Sequence, residues 1–231
     1  VTEHHLYLII NLGSILVPLV ASFYPKAPFF KEWKWALPGI AVAGFLFIVW
    51  DVWFTKIGIW GFNDQYTTGF KWLGLPIEEW LFFLCIPYAC LFTYFALNHL
   101  KGNGFFADYH KECTALLAII FGWIGVIYAD KMYTAFTFIG LTALLCVHLI
   151  WIKKHYIGNF YRSFLVILLP FSITNGLLTG SFIPGEVVWY NNNENMAQRL
   201  GTIPFEDAFY GMFLLLLATT IYEELKQRKG N

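Results

Sequence analysis

Seven stretches of the chain are apolar almost without a break, at about 4–24, 35–54, 76–99, 113–129, 131–152, 160–180 and 204–225, and short polar connectors separate them. A helix needs roughly 17–25 such residues to cross a bilayer. Inside lipid the backbone donors and acceptors must pair within their own segment, so the runs predict helices rather than open strands. The first run has neither a basic lead nor a small-residue cleavage site and reads as a retained helix rather than a signal peptide. Seven spans use up the chain, which leaves no room for a soluble domain. The expected fold class is an all-α integral membrane protein.

Polar residues inside this pattern recur. Leu75 to Phe83 reads LPIEEWLFF, placing Glu78 and Glu79 at the mouth of the third run, and Ile203 to Gly211 reads IPFEDAFYG, placing Glu206 and Asp207 at the mouth of the seventh. Asp51 and Thr55 close the second run as Asn175 and Thr179 close the sixth. The closing pairs are offset by 124 residues and the Pro-x-Glu-acid motifs by 128. This predicts a parallel internal repeat of three spans, one linking span and three spans, over residues 1–100, 101–130 and 131–231. Four helices separate corresponding spans, so both acidic motifs face one side of the membrane, about an axis along its normal.

Composition strengthens the membrane assignment: 58% hydrophobic and 13% charged residues, against about 45–50% and 25% in soluble domains. Fifteen basic and fifteen acidic residues give no net charge, so nothing points to nucleic acid as a partner. Their distribution sets an orientation. Lys26, Lys31, Lys34, Lys101, Lys111, Lys153, Lys154, Arg162, Lys226, Arg228 and Lys229 fall on one side, and only Lys56, Lys71, Lys131 and Arg199 on the other. The excess of positive charge on cytoplasmic loops then places the amino terminus outside and the carboxyl terminus in the cytoplasm of a cell-membrane protein. Cys85, Cys90, Cys113 and Cys146 all lie in spans and read as buried structural thiols. The six histidines lack the clustered spacing of a metal site, and GNGFFA (102–107) follows a membrane helix instead of a strand, so neither metal nor dinucleotide is expected.

Acids in a first helical turn after Pro are also a plain helix-start signature, because Pro lacks the donor orphaned there and carboxylates complement the helix dipole. That reading leaves the repetition and the polar partners Asp51 and Asn175 unexplained, and ionisable groups within a helix bundle are costly and usually functional. Burial and a neighbouring carboxylate both disfavour ionisation, so of four acids gathered in a water-poor chamber at least one holds its proton and can act as a general acid beside an ionised base. Trp80, Phe82, Phe83, Phe205, Phe209 and Tyr210 are the aromatic candidates to line that chamber, where ring faces steady a cation. A proton-coupled transporter would also use intramembrane acids and is the alternative reading. A retinal protein is disfavoured because the seventh run has no lysine between Pro204 and Tyr222.

GIWGFND (58–64) with GLPIEEWLFFLCIPYACLFTY (74–94), and ITNGLLTGSF (173–182), VVWYNNNEN (187–195) and RLGTIPFEDAFYGM (199–212), resemble the two halves of the integral-membrane lycopene cyclases in their fused form. The resemblance covers nearly the whole chain. It implies cyclisation of the open ends of lycopene to β-ionone rings, giving γ-carotene or β-carotene according to whether one end or both react, with lycopene taken from the lipid and no cofactor or net redox change. It carries the family's acidic positions onto Glu78, Glu79, Glu206 and Asp207. Of these, Glu78 and Glu206 are taken as the acid and base proper, with Asp51, Asn175, Glu79 and Asp207 as orienting neighbours. Asp207 and Asn175 stand where the first half has Glu79 and Asp51, which points to one asymmetric site between the halves.

Overall fold

The computed structural model describes residues 3–228, so Lys229 of the charge count lies outside the described residues. The long helices are α1 (Leu6–Ala21), α2 (Trp33–Lys56), α3 (Ile77–Lys101), α5 (His110–Ile127), α6 (Met132–Val147), α7 (Tyr156–Leu178) and α8 (Phe205–Arg228), with one short helix, α4 (Phe105–Asp108), before α5. A π-helical turn, His148–Ile152, continues α6. Among the described residues, seven helical segments have the length and hydropathy to cross a membrane. They match the seven apolar runs to within a few residues at each end, which is the usual scatter of helix boundaries. The protein is a multi-pass, all-α membrane protein.

The connectors at the acidic end hold more structure than their polarity suggests. Six short strands form there: β1 (Trp60–Phe62), β2 (Lys71–Trp72), β3 (Leu75–Pro76), β4 (Val188–Tyr190), β5 (Arg199–Leu200) and β6 (Ile203–Pro204). The β2–β3 and β5–β6 hairpins lead directly into α3 and α8. In the first, Leu73 and Gly74 both have positive φ, as a tight two-residue hairpin turn requires. Pro76 is therefore not the first helical residue. It ends β3 in an extended conformation, and Pro204 likewise ends β6.

Strands β1 and β4 pair antiparallel across the molecule, with Gly61 opposite Trp189 at the centre. On one side of this centre the Asn63 N–H donates to the Val187 carbonyl at 2.9 Å, and on the other the Asn191 N–H donates to the Ile59 carbonyl at 2.8 Å. Each bond converts into the other when 128 is added to the first-half residues and subtracted from the second-half ones. The hairpins obey the same offset: the Ile77 N–H donates to Phe70 and the Phe205 N–H to Gln198. A side chain at Gly61 would lie within 2.4 Å of the Trp189 ring, so this crossing needs glycine.

Around this roof α1 packs along α3, α6 along α8, and α2 along both α3 and α8, while α5 pairs with α6 at the periphery. Small residues allow α2 its close approach. A Cβ on Gly39 would sit 2.8 Å from the Ala218 carbonyl oxygen, which illustrates how membrane helices gain contact when no hydrophobic drive exists between them.

Candidate active site

Helix periodicity puts the two acids of each pair on different faces, and packing decides which face meets its counterpart. Neighbouring residues on an α-helix point about 100° apart, so Glu78 and Glu79 cannot face the same space. Glu79 shares its face with Phe82, Ile86, Ala89, Cys90 and Thr93, and all six line a single cavity of about 370 Å³. Asp207 shares its face with Tyr210, Gly211, Leu214 and Leu215, which line the same cavity from α8. The polar end of the cavity is completed by Tyr7 of α1, Asp51 of α2, Tyr133 of α6, Asn175 of α7, and Trp60, Phe62, Val188 and Tyr190 from the β1–β4 ribbon that roofs it.

The expectation that all four acids meet in one chamber does not match this geometry. Glu78 and Glu206 are fully buried but do not line the cavity. One oxygen of Glu78 accepts the Thr68 N–H at 2.7 Å. The same oxygen of Glu206 accepts the Met196 N–H at 2.7 Å and the Thr134 hydroxyl at 2.5 Å. Both carboxyls reach back ten residues to tie a hairpin strap to the start of its helix. The Asn11 side chain ties the same turn to α1 by donating to the Glu78 carbonyl at 2.8 Å.

The acids that do face the cavity have unlike surroundings. On the first-half side, Tyr7 donates a hydrogen bond to Glu79, Trp60 and Thr55 donate to Asp51, and Asp51 and Glu79 are neighbouring carboxyls in the cavity wall. On the second-half side Asp207 stands without a second carboxyl in the cavity and accepts three hydrogen bonds: from Tyr133 at 2.6 Å, Asn175 at 2.7 Å and Tyr190 at 2.9 Å. Burial, and after it the charge of Asp207, holds the Tyr190 phenol well above its ordinary pKa, so this hydroxyl stays a donor.

Of the expected aromatic lining, only Phe82 and Tyr210 reach the cavity, and they occupy corresponding positions three residues after Glu79 and Asp207. Trp80 stacks on Trp72 outside it, with ring centroids 4.2 Å apart. Phe83 is buried among Ala43, Phe47, Leu214 and Ala218. Phe205 and Phe209 turn toward Phe138, and Phe209 also packs against Phe121, on the α5–α6 side. The other rings at the polar end of the cavity come from residues that sequence reasoning missed: Tyr7, Tyr133, Tyr190, Trp60 and Phe62. A usable signal existed for two of them, since Tyr7 and Tyr133 each stand near the start of the first span of a repeat. Among the thiols, Cys85 is buried and Cys90, half-buried, lines the cavity.

A cavity whose walls are hydrocarbon and whose closed end concentrates carboxyl, phenol and indole groups suits acid–base work on an apolar molecule. The sequence model of the lycopene cyclase family matches residues 4–97 and 130–225, the two halves that meet at this cavity. No curated relative and no solved structure matches the chain. With most of its length matched in two stretches that each supply one carboxyl set, the chain belongs to the lycopene cyclase family, enzymes that cyclise lycopene.

Proposed function

We propose that the three cavity carboxyls, Glu79, Asp51 and Asp207, carry the cyclisation, with the Glu79–Asp51 pair as proton donor and Asp207 as proton acceptor. The observation that carries this reading is the unequal hydrogen bonding of the two sets. Two neighbouring buried carboxyls resist both being ionised, so the Asp51–Glu79 pair holds a proton it can give. Asp207 has three donors aimed at its two oxygens, the arrangement of a carboxylate, and Asn175 can supply one of them because its amide carries donors that an aspartate lacks.

The reaction then runs across the cavity. The acid pair protonates the terminal trisubstituted alkene of lycopene at C2, leaving a cation at C1. The C5–C6 double bond attacks C1, so the C1–C6 bond forms and the positive charge moves to C5. Asp207 takes the proton from C6, the C5–C6 double bond is restored, and a β ring results. One proton enters and one leaves, with no change in oxidation state. The faces of Trp60, Tyr133 and Tyr210, whose ring centroids lie 5.1–6.1 Å apart, surround the space where charge is carried and stabilise it through their quadrupoles. Glu78 and Glu206 position the helix starts rather than exchange protons.

In this reading the substrate is lycopene, then γ-carotene, drawn from the lipid, and residues 1–100 and 131–231 are two copies joined by 101–130. The roofed, acidic end faces away from the cytoplasm of the cell membrane, as the charge distribution implies. The test is expression in cells that accumulate lycopene, with pigments separated by chromatography. β-Carotene is expected from the unaltered chain, and Glu79→Gln and Asp207→Asn each lower ring formation about 10²–10⁴-fold, the usual contribution of a positioned acid or base. Ring formation undiminished in either variant, with the protein inserted at normal levels, refutes the assignment.

A further inference from the structure

The halves correspond, but the cavity does not treat them alike. Beyond its polar end it runs along α1, through Gly13, Ser14 and Pro18, and along α7, through Phe164, Ile167, Pro170, Phe171 and Thr174. From α2 it takes only Asp51 and from α6 only Tyr133. Two of its lining residues are also exposed on the outer surface of the protein, Gly13 of α1 and Pro170 of α7. They lie at similar depth, six residues from Tyr7 and five from Asn175, about 8–9 Å along each helix at the helical rise. A Cβ built on Gly13 meets nothing within 4 Å. Toward the roof the seam is closed, because Tyr7 and Leu178 share one buried cluster.

The corresponding seam, between α2 and α6, is filled. Phe136 packs against Trp50, Trp53 and Phe54, with centroids 5.1–6.4 Å apart, and Phe213 backs Trp50 at 6.2 Å. Trp50 corresponds to Thr174 on the 124-residue offset of the closing motifs, so one seam carries an indole where the other has a small side chain.

The geometry points to the gap between α1 and α7 at Gly13 as a lateral mouth, through which a linear polyene passes from the lipid and in which its unreacted length lies during the reaction. This rests on the cyclase reading and goes beyond it. Both flanking helices span the membrane, so the opening lies at hydrocarbon depth, where the substrate is dissolved. The track from Glu79 to Thr93 on α3 is about 21 Å long at the helical rise. That is shorter than the roughly 30 Å hydrocarbon core, so a polyene comparable in length to the core projects outward while one end reacts. The lining beyond the carboxyls is almost wholly apolar, and it continues directly into the catalytic end, which identifies its occupant as the substrate's own chain.

The test substitutes Gly13→Trp, with Thr174→Trp as the second blocking variant and Leu16→Trp as the control, since Leu16 is exposed on the lipid face of α1 and does not line the cavity. Each is inserted into lycopene-containing membranes, and initial ring formation is measured per inserted protein. Gly13→Trp and Thr174→Trp are expected to slow it about tenfold or more, Leu16→Trp less than about twofold. Equal rates for Gly13→Trp and the unaltered chain overturn the mouth while leaving the cyclase reading intact. Absence of ring product from the unaltered chain overturns the cyclase reading itself. If Gly13→Trp fails to insert, Thr174→Trp decides alone, on the opposite wall.

Discussion

The α1–α7 and α2–α6 seams are built from corresponding helices of two similar halves, yet one is open to lipid and the other is plugged with aromatic rings. The difference comes from a handful of positions. Gly13 and Thr174 leave space where Phe136, Trp50 and Trp53 occupy it. The carboxyl sets differ in the same economical way, since the first half sets Asp51 beside Glu79 and the second sets Asn175, a hydrogen-bond donor, beside Asp207. In the proposed reading, small departures from equivalence between two like halves make one site with a donor wall, an acceptor wall and an opening between α1 and α7.

If the inequality of the carboxyl sets is what matters, erasing it costs activity. Asn175→Asp replaces a donor to Asp207 with a second carboxyl and gives the second half the pairing of the first. It removes a hydrogen bond to a charged group, worth about 1.5–3 kcal/mol, so ring formation is expected to fall roughly 10- to 150-fold in the pigment assay; an unchanged rate would mean that the two walls are interchangeable. Tyr190→Phe removes another of the three donors and leaves the ring in place. A loss at the lower end of the range for a hydrogen bond to a charged group, about 1.5 kcal/mol or roughly tenfold in rate, is expected. Because the Tyr190 phenol is held far above its ordinary pKa, the loss should be uniform from about pH 6 to 9, a range below even the ordinary phenol value; a loss confined to one end of that range contradicts a simple donor role.

The smallest effects separate the two acids within a motif. Glu78→Gln and Glu206→Gln keep an oxygen that can accept from Thr68 or Met196, so turnover per folded molecule should stay within about threefold, as for a lost interaction of well under 1 kcal/mol. Glu206→Ala removes the acceptor and leaves the buried Thr134 hydroxyl and Met196 N–H without it, at about 1–3 kcal/mol. Its thermal midpoint in detergent should drop while the surviving molecules still cyclise. Complete loss of chemistry in either Gln variant, with stability unchanged, would return Glu78 or Glu206 to the reacting set.

Much of the site was legible in the residues. Apolar run length alone yields the seven helices, and the recurrence of Pro-x-Glu-acid with Asp51 and Asn175 singles out spans far apart in sequence, of which Asp51, Glu79, Asn175 and Asp207 line one cavity. The expectation departs from the structure at the doublets, where Glu78 and Glu206 are taken as the acid and base proper although Glu79 and Asp207 are the acids that line the cavity. A 100° step separates the two acids of each doublet, and the spacing of Glu79, Phe82, Ile86 and Cys90 was present in the sequence as a continuous face. Trp80, Phe83, Phe205 and Phe209 were misplaced for the same reason. The strands of the roof were less accessible. β2, β3, β5 and β6 are only two residues long, too short for an alternating pattern to register, and β1 pairs with β4 across more than a hundred intervening residues.

What the sequence determined by itself is what depends on neighbours along the chain: which segments are apolar enough to be helices in lipid, and which polar residues recur at matching points in two halves. Tertiary structure alone decided which acid of each pair faces its counterpart, that Asn175 and Tyr190 converge on Asp207, and that one seam stays open while the other fills. Those outcomes depend on side chains from helices far apart in sequence competing for the same volume, and local periodicity carries no record of which will meet.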